Sequence, residues 1–374
     1  DSPSQSLLSI NARKKFYPNP IPDAFYSGNT DTLAAGDGDH LREDYYAWTW
    51  GDALFIVFDP FHYTMQIPYN PSAGPGEEND EGTPSNDRWT WTLGQQQYNW
   101  LKSTLENSSA RYKFMFAHHM VGGTELYVRG GAAPAHMFEW GGYNSDGTTW
   151  GWGTKRAGWG PDPIRQLMID HQVSAFFHGH DHQYGYEKRD GIVYQSMPSA
   201  GFSGSGFNIY CGTGNVYCIK AVASPGHLRI TITPDQATVD YVGTSGGTVN
   251  YTYTIAPYLP PATVPKAPVV TSIALSGGDD LDVTLAWDAV TEDTNNNPTS
   301  INEYHVYGSQ EPYFMTGTLL TPSPVETAFT HVGGSTGATN WYYLVRALNG
   351  VGESANSPRR TGRFGFDLVP GSTP

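Results

Sequence analysis

Apolar positions in this chain fall in runs of strand length, and two of those runs share a design. In RYKFMFAHHMVGG the apolar stretch Tyr112 to Phe116 stops at a histidine pair, His118 and His119, followed by a diglycine. In VSAFFHGHDHQYG the stretch Val173 to Phe177 breaks at Gly179, and His180, Asp181 and His182 follow. Short apolar runs bounded by glycine read as buried strands. Upstream, YYAWTWGDALFIVFDPF (45–61) reads as a hairpin turning at Gly51-Asp52. Downstream, GIVYQS, NVYCIKAV, HLRITIT, ATVDYV and NYTYTI succeed one another between Gly191 and Ala256. The alternation in HLRITIT and ATVDYV predicts half-exposed antiparallel strands closing one sheet of a two-sheet sandwich.

Helical periodicity is confined to two places. Tyr98, Leu101 and Leu105 share a face behind a capping-box pair, Thr92 and Gln95, and Trp100 on this helix reads as core. Ile164, Leu167, Met168 and His171 follow Asp162, read as a cap, and Pro163, read as the first helical residue. Residues 1–44 are polar and rich in Pro and Gly, and read as extended chain without a fold of their own. The acidic stretches 36–40 and 66–88 read as loops. Between Gly122 and Gly160, a long stretch rich in Gly and Trp reads as a folded lid, because tryptophans are poorly compatible with disorder.

A proline-rich segment, PYLPPATVPKAP, separates this pattern from a second one. Beyond it Trp287 lies in VTLAWDAV, Tyr304 and Tyr307 in NEYHVYG, and Tyr342 and Tyr343 in NWYYLVRALNG. Regularly spaced strands with one core tryptophan and late tyrosines suit an immunoglobulin-like sandwich. The expected division is 1–256, a connector 257–267, and 268–374. No catalytic constellation stands out in the last part. A spacer or adhesion role is expected there, and its acidic residues (Asp279, Asp280, Glu292 and Asp293) read as a solvated rim.

The chain has 374 residues, enough for two cored domains, and only 15% are charged. Its formal net charge of −15 argues against a nucleic-acid partner, and a phosphate substrate would need a local cationic site. No run reaches transmembrane length. The start, Asp1-Ser2-Pro3, suits a processed or partial N-terminus. Two cysteines, Cys211 and Cys218, flank a Gly-Thr-Gly-Asn turn. They read either as a disulfide, which implies an oxidising compartment, or as two buried thiols.

Neutral imidazole is the commonest metal ligand, and two strands ending in histidine would converge their rings at one sheet edge. The GHDH at 179–182, the AHHM around His118, RGG at Arg129, FEWGGYNSDG at Phe138 and RAGWGPDPI at Arg156 resemble the calcineurin-like metallophosphoesterases. That family includes the purple acid phosphatases, and the likeness is to a bacterial secreted branch, over roughly residues 1–256. The last part resembles a fibronectin type III domain.

The resemblance implies an α+β sandwich of two sheets with flanking helices (αββα), divalent ions, a phosphoester substrate and a secreted or cell-surface protein. His118 and His180 would ligate one ion and His182 the other. His119 would orient a ligand or touch the lid. Arg129 could steer a phosphate, or pair at the surface with Glu125. Asp59, at the end of a strand, is expected to be structural. The family's first three motifs, with their bridging carboxylate, are not found. The chain is therefore expected to have little activity alone, to leave an apolar sheet face uncovered, and to need a partner fragment or self-association. The alternative is an extracellular structural or adhesion protein that reuses half of such a fold.

Overall fold

The structure, a computed structural model, describes residues 5–32, 41–63, 88–121, 131–201, 211–212, 214–222, 225–278, 281–311, 314, 317–323, 326–336, 340–357 and 361–363. Two compact units form, Asp1–Tyr258 and Leu259–Pro374.

The first unit opens with a helix, α1 (Gln5–Phe16), where extended chain was expected. Its apolar periodicity is weak. Its last turn carries Arg13, Lys14 and Lys15, which suit the negative end of the helix dipole. Arg13 and Lys14 also donate to the carbonyls of Arg42 and Leu41. Long-range contacts of this kind leave no local pattern in the sequence.

One mixed sheet organises the unit. Its strands are β1 (Ser27–Gly28), β2 (Tyr46–Trp50), β3 (Ala53–Val57), β4 (Tyr112–Ala117), β5 (Ala175–His178), β6 (Tyr184–Arg189), β7 (Ile192–Ser196) and β8 (Cys218–Val222), in the order β1-β2-β3-β4-β5-β7-β6-β8. The β2–β3 hairpin turns at Gly51-Asp52, with Trp50 opposite Ala53. Gly51 has φ +56°, which a type II′ turn requires at its first central residue. Strands β3, β4, β5 and β7 run parallel, so their carboxyl ends share one edge.

Side chains alternate between the two faces. Leu54 and Ile56 of β3, Met115 of β4, Phe176 of β5 and Tyr194 of β7 join one core with the helices α2 (Gly94–Glu106), α3 (Phe138–Gly141), α4 (Trp152–Lys155) and α5 (Ile164–Asp170). Tyr98, Leu101 and Leu105 of α2 supply its buried stripe. On the other face, Ala53, Tyr112, Phe114, Phe177 and Tyr184 meet Val239, Tyr241 and Tyr253 of a second, three-stranded antiparallel sheet. That sheet is β11-β10-β9, built from β9 (Gly226–Ile232), β10 (Ala237–Gly243) and β11 (Val249–Ile255). Tyr186 and Tyr253 stack across the interface at 4.0 Å, and Tyr184 and Tyr241 at 4.5 Å.

The layers among the described residues are therefore helices, large sheet, small sheet. The outer face of the small sheet is polar: Asp240 takes Arg229 at 2.7 Å and the Thr252 hydroxyl at 2.8 Å. The exposed positions of this sheet are mostly polar, His227, Arg229, Thr231, Asn250, Thr252 and Thr254, with Val249 the apolar one among them.

Both helix starts depart from expectation. Leu93, not Thr92, caps α2, and its N–H goes to Glu139 Oε1 at 2.9 Å, while Thr92 Oγ1 accepts the Gly94 N–H at 3.0 Å. Gln95 instead reaches the Gly158 carbonyl at 3.0 Å. At α5 the cap position belongs to Pro163 rather than Asp162, with no side-chain cap.

Residues 131–160 are folded, and their tryptophans explain why: Trp140 and Trp152 are fully buried in the helix-side core. Cys211 and Cys218 are bridged, with their Cα atoms 5.2 Å apart.

In the second unit, β12 (Val270–Ser276), β13 (Asp282–Trp287) and β16 (Ala328–His331) form one sheet. The other comprises β14 (Glu303–Ser309), β15 (Thr318–Ser323), β17 (Trp341–Leu348) and β18 (Thr361–Arg363). Trp287, Tyr304, Val306, Tyr343 and Val345 fill the space between them. The proline-rich segment is not loose along its whole length. Asn295 and Asn297 hold the carbonyls of Pro261 and Pro260, and Lys266 N–H bonds the Glu292 carbonyl at 3.0 Å.

Candidate metal centre

Three parallel strands deliver the candidate chemistry to one edge. Ala117, the last residue of β4, lies opposite His178, the last of β5, so the loops that follow emerge side by side. Gly179 then donates its N–H to the carbonyl of His118 at 2.9 Å. This register sets His180 Nδ1 at 3.4 Å from His118 Nε2. The ring centroids of His119 and His180 are 4.9 Å apart, and those of His118 and His119 are 4.8 Å apart. One nitrogen from each of His118, His119 and His180 can be chosen so that all lie within 4.8 Å of one another.

Backbone strain accompanies this geometry. His180 has φ 74° and His182 φ 55°, a region that β-carbon sterics disfavour for residues other than glycine. Strain of this kind costs about 1–3 kcal/mol and persists where surrounding structure enforces it. His119 is enforced from another side. Its ring stacks on Trp91 at 5.7 Å and meets the edge of Phe61 at 4.6 Å. Partial desolvation, and then the charge of His182, hold the His118 pKa below the usual imidazole range. A neutral ring is the form that ligates.

A second group lies at the end of β3: Asp44, Asp59 and His62. Here both ring nitrogens of His62 are engaged. Nδ1 meets Asp44 and Nε2 lies 3.3 Å from Asp31. Burial pulls the His62 pKa down, but the hydrogen bond and charge of Asp44 and the charge of Asp59 outweigh it and raise the pKa. These contacts favour the protonated ring, and the group ties residues 31 and 44 to the sheet edge. Burial raises the pKa of Asp59, whose carboxylate accepts the Phe61 N–H at 2.9 Å.

The chain matches no protein-family model and no curated protein sequence. Among solved structures it is similar to GAP50, the anchor in the inner membrane complex of Plasmodium, at 14% identity and TM-score 0.34, covering 57% of this chain and 53% of that one. Similarity to a purple acid phosphatase from seeds of yellow lupin, Lupinus luteus, is at 15% identity and TM-score 0.35, over 57% of this chain and 33% of the lupin protein. An Fn3-like protein from Clostridium thermocellum is 22% identical at TM-score 0.20, over 25% of this chain and 88% of its own. The chain thus spans about half the length of GAP50 and about a third of the lupin phosphatase.

His118 and His180, expected to share one ion, lie in one group; His119, expected to orient a ligand, lies in it too, and His182, expected at a second ion, does not. His182 is exposed at the rim, close enough to act on the charge of His118. Arg129, with Glu125, lies outside the described residues. His178 is core: burial pushes its pKa down to about 3, and its ring stacks on Phe176 at 5.4 Å.

Two features had no signal in the sequence. Glu139 is fully buried and paired with Arg156, whose guanidinium also donates to the Trp89 carbonyl at 2.6 Å. Together they brace the segment carrying Trp91, and through it His119. Gln97 bridges α2 to the end of β3: its Oε1 accepts the Asp59 N–H at 2.8 Å, and its Nε2 donates to the Asp59 carbonyl at 2.9 Å. A glutamine mid-helix has no pattern that announces such a role.

Proposed function

We propose that residues 1–256 are the histidine-bearing part of a secreted, metal-dependent phosphoric ester hydrolase, followed by a connector (257–267) and a fibronectin type III-like module (268–374). The observation that carries this reading is the 3.4 Å approach of His180 Nδ1 to His118 Nε2, with His119 beside them.

The donor set suits a divalent ion. Three imidazoles without a carboxylate favour zinc or another late transition metal over magnesium or calcium. His118, His119 and His180 would hold it, and a bound ion supplies Lewis-acid polarisation of a phosphoryl oxygen. Phe61 and Trp91 fix the His119 ring. Asp181 and His182 stand at the rim, where a leaving group or solvent would pass. The Cys211–Cys218 bridge favours an oxidising compartment.

Among the described residues no carboxylate joins the three imidazoles, so a second ion lacks a bridge there and activity of this chain alone should be low. A partner carrying acidic ligands would complete the centre. An aromatic ladder on the sandwich face favours one: Tyr46 stacks on Trp48 at 6.0 Å and Trp48 on Phe55 at 4.9 Å, all three half-buried.

The test is elemental analysis and zinc titration calorimetry on the full chain, with His118→Ala as control. One ion per chain, lost in the variant, supports the reading. No ion at any concentration tested sinks it and leaves the structural or adhesion protein. Turnover of an aryl phosphate at enzyme-like rates by the pure chain would refute the need for a partner.

A further inference from the structure

On the helix-bearing face, away from the histidine edge, a cleft of about 520 Å³ opens between the β2–β3 hairpin and helix α2. Its volume falls in the range of small-molecule sites. Three aromatic residues contribute to its lining, Phe25, Trp48 and Trp100, with hydroxyl and amide groups from Ser27, Ser103, Thr104 and Asn107 around them. Phe25 is 48% exposed. Trp100 is half-buried: one side of the indole packs on Tyr45 at 4.7 Å, while its Nε1 lies 3.3 Å from Ser27 Oγ. The sequence reading of Trp100 as core therefore covers only part of its surface.

Among the described residues, no ionisable side chain lines the cleft. The nearest charges on α2, Lys102 and Glu106, are paired with each other. In a protein of net charge −15, a neutral lining is a selective feature. An anionic ligand would find no cation here, and a cationic one no carboxylate. Part of this polar lining is already engaged, since Asn107 Nδ2 donates to the Ser103 carbonyl at 2.8 Å and to Ser103 Oγ at 3.1 Å. A purely apolar ligand, such as a lipid chain, would still cover the remaining hydrogen-bonding positions without replacing their water, which is costly. A ligand with one apolar face and a rim of hydroxyls satisfies both halves of the lining: the face lies on an aromatic ring, and the hydroxyls exchange hydrogen bonds with groups that donate and accept.

From this we infer that the cleft between Phe25 and Trp100 is a binding site for a neutral saccharide. Such a site would hold the protein on a glycan, and it is independent of any metal at the histidine edge.

The probes are maltohexaose, cellohexaose and chitohexaose, titrated into the full chain by calorimetry and by tryptophan fluorescence. At least one should bind with Kd below ~1 mM. Two variants test the place. Phe25→Ala removes an exposed ring. Ser103→Leu fills the cleft from an exposed helical position with a good helix former. Each should weaken binding at least about fivefold, the scale of one lost contact, with the melting temperature unchanged. The inference is overturned if none of the three saccharides binds at this level, or if either folded variant binds as the parent does. It is also overturned if an anionic polysaccharide such as polygalacturonate binds more tightly. Gel filtration gives the remaining outcome: a dimer dissociated by Ser103→Leu would mean that a second copy, not a glycan, fills the cleft.

Discussion

Gly179 donates its backbone N–H to the carbonyl of His118 at 2.9 Å, and this bond continues the β4–β5 pairing one step past the strands. It closes the gap between the two histidine loops. Without it, the 3.4 Å approach of His180 to His118 would depend on flexible loop backbone alone. A Cβ added at Gly179 would lie 3.4 Å from His118 Nδ1, an ordinary contact, so this glycine is not demanded by sterics. The demanding residue is its neighbour, His180, at φ 74°.

His180→Asn isolates that demand. Asparagine tolerates left-handed backbone better than most residues, so the fold should be kept while one donor ring is lost. Zinc affinity should fall at least about 100-fold, beyond the usual effect of losing an outer partner of a ligand. Melting temperature without metal should hold or rise. Calorimetry and thermal circular dichroism on the same samples check both. Unchanged affinity would remove His180 from the centre.

A second prediction concerns Arg156. Its partner Glu139 is fully buried, and burial, only partly offset by Arg156 and the Leu93 N–H, raises the Glu139 pKa. Arg156→Met leaves that carboxylate without a charged partner, with only neutral donors such as the Leu93 N–H, and should destabilise the first unit by roughly 3–5 kcal/mol in urea unfolding. Adding Glu139→Gln should restore part of the loss. Full additivity of the two changes would show that the pair is not coupled.

The two parallel strands and their histidines were legible because apolar runs ended by glycine mark buried strands, and a shared edge follows from parallel pairing. The small sheet and the second unit were legible for the same reason, in the alternation of HLRITIT and in the spacing of Trp287 and Tyr304. What escaped was non-local. Helix α1 is held by Arg13 and Lys14 on distant carbonyls. In place of the expected capping box at Thr92, Gln95 reaches the Gly158 carbonyl, and Glu139, 46 positions beyond Leu93, takes the Leu93 N–H. The expectation that His119 would only orient a ligand, with His182 at a second ion, followed a family pattern. The stacking of Trp91 on His119, which holds that ring at the edge, has no trace in local sequence.

Glu187 predicts a pH dependence. Its carboxylate accepts the Ala132 N–H at 2.9 Å and Asn215 Nδ2 at 2.6 Å. Burial, with the charge of Asp181 adding to it, raises the pKa from 4.5 to about 7 despite those bonds. A folded-state pKa above the unfolded value means the stabilising contribution is complete below about pH 4.5 and is lost as pH rises to about 7. At 1.36 kcal/mol per pH unit the loss is about 3 kcal/mol. Urea unfolding from pH 4.5 to 8 should show this decline, and Glu187→Gln should flatten it. An equal slope in the variant would assign the dependence to other groups.

Gln97 gives the last prediction. It is fully buried on α2, and its amide satisfies three backbone groups: the Asp59 N–H, the Asp59 carbonyl, and the Leu93 carbonyl at 3.1 Å. Gln97→Leu keeps the volume and helix propensity but provides no hydrogen bonds. The N–H and carbonyl of Asp59 then lose their bridge at the end of β3. Each unsatisfied group costs about 1–3 kcal/mol, so a loss of roughly 2–4 kcal/mol is expected in denaturant unfolding. Asp59 stands two residues before Phe61, whose ring meets His119 at 4.6 Å. Loosening this turn should therefore also weaken zinc binding, even though Gln97 would touch no ion. Glu in place of Gln separates the two effects. It keeps the acceptor for the Asp59 N–H but, once ionised, sets a carboxylate against the Asp59 carbonyl. If the donor side of the amide holds the turn, it should be at least as damaging as the leucine at high pH and milder at low pH, where the protonated carboxyl can donate.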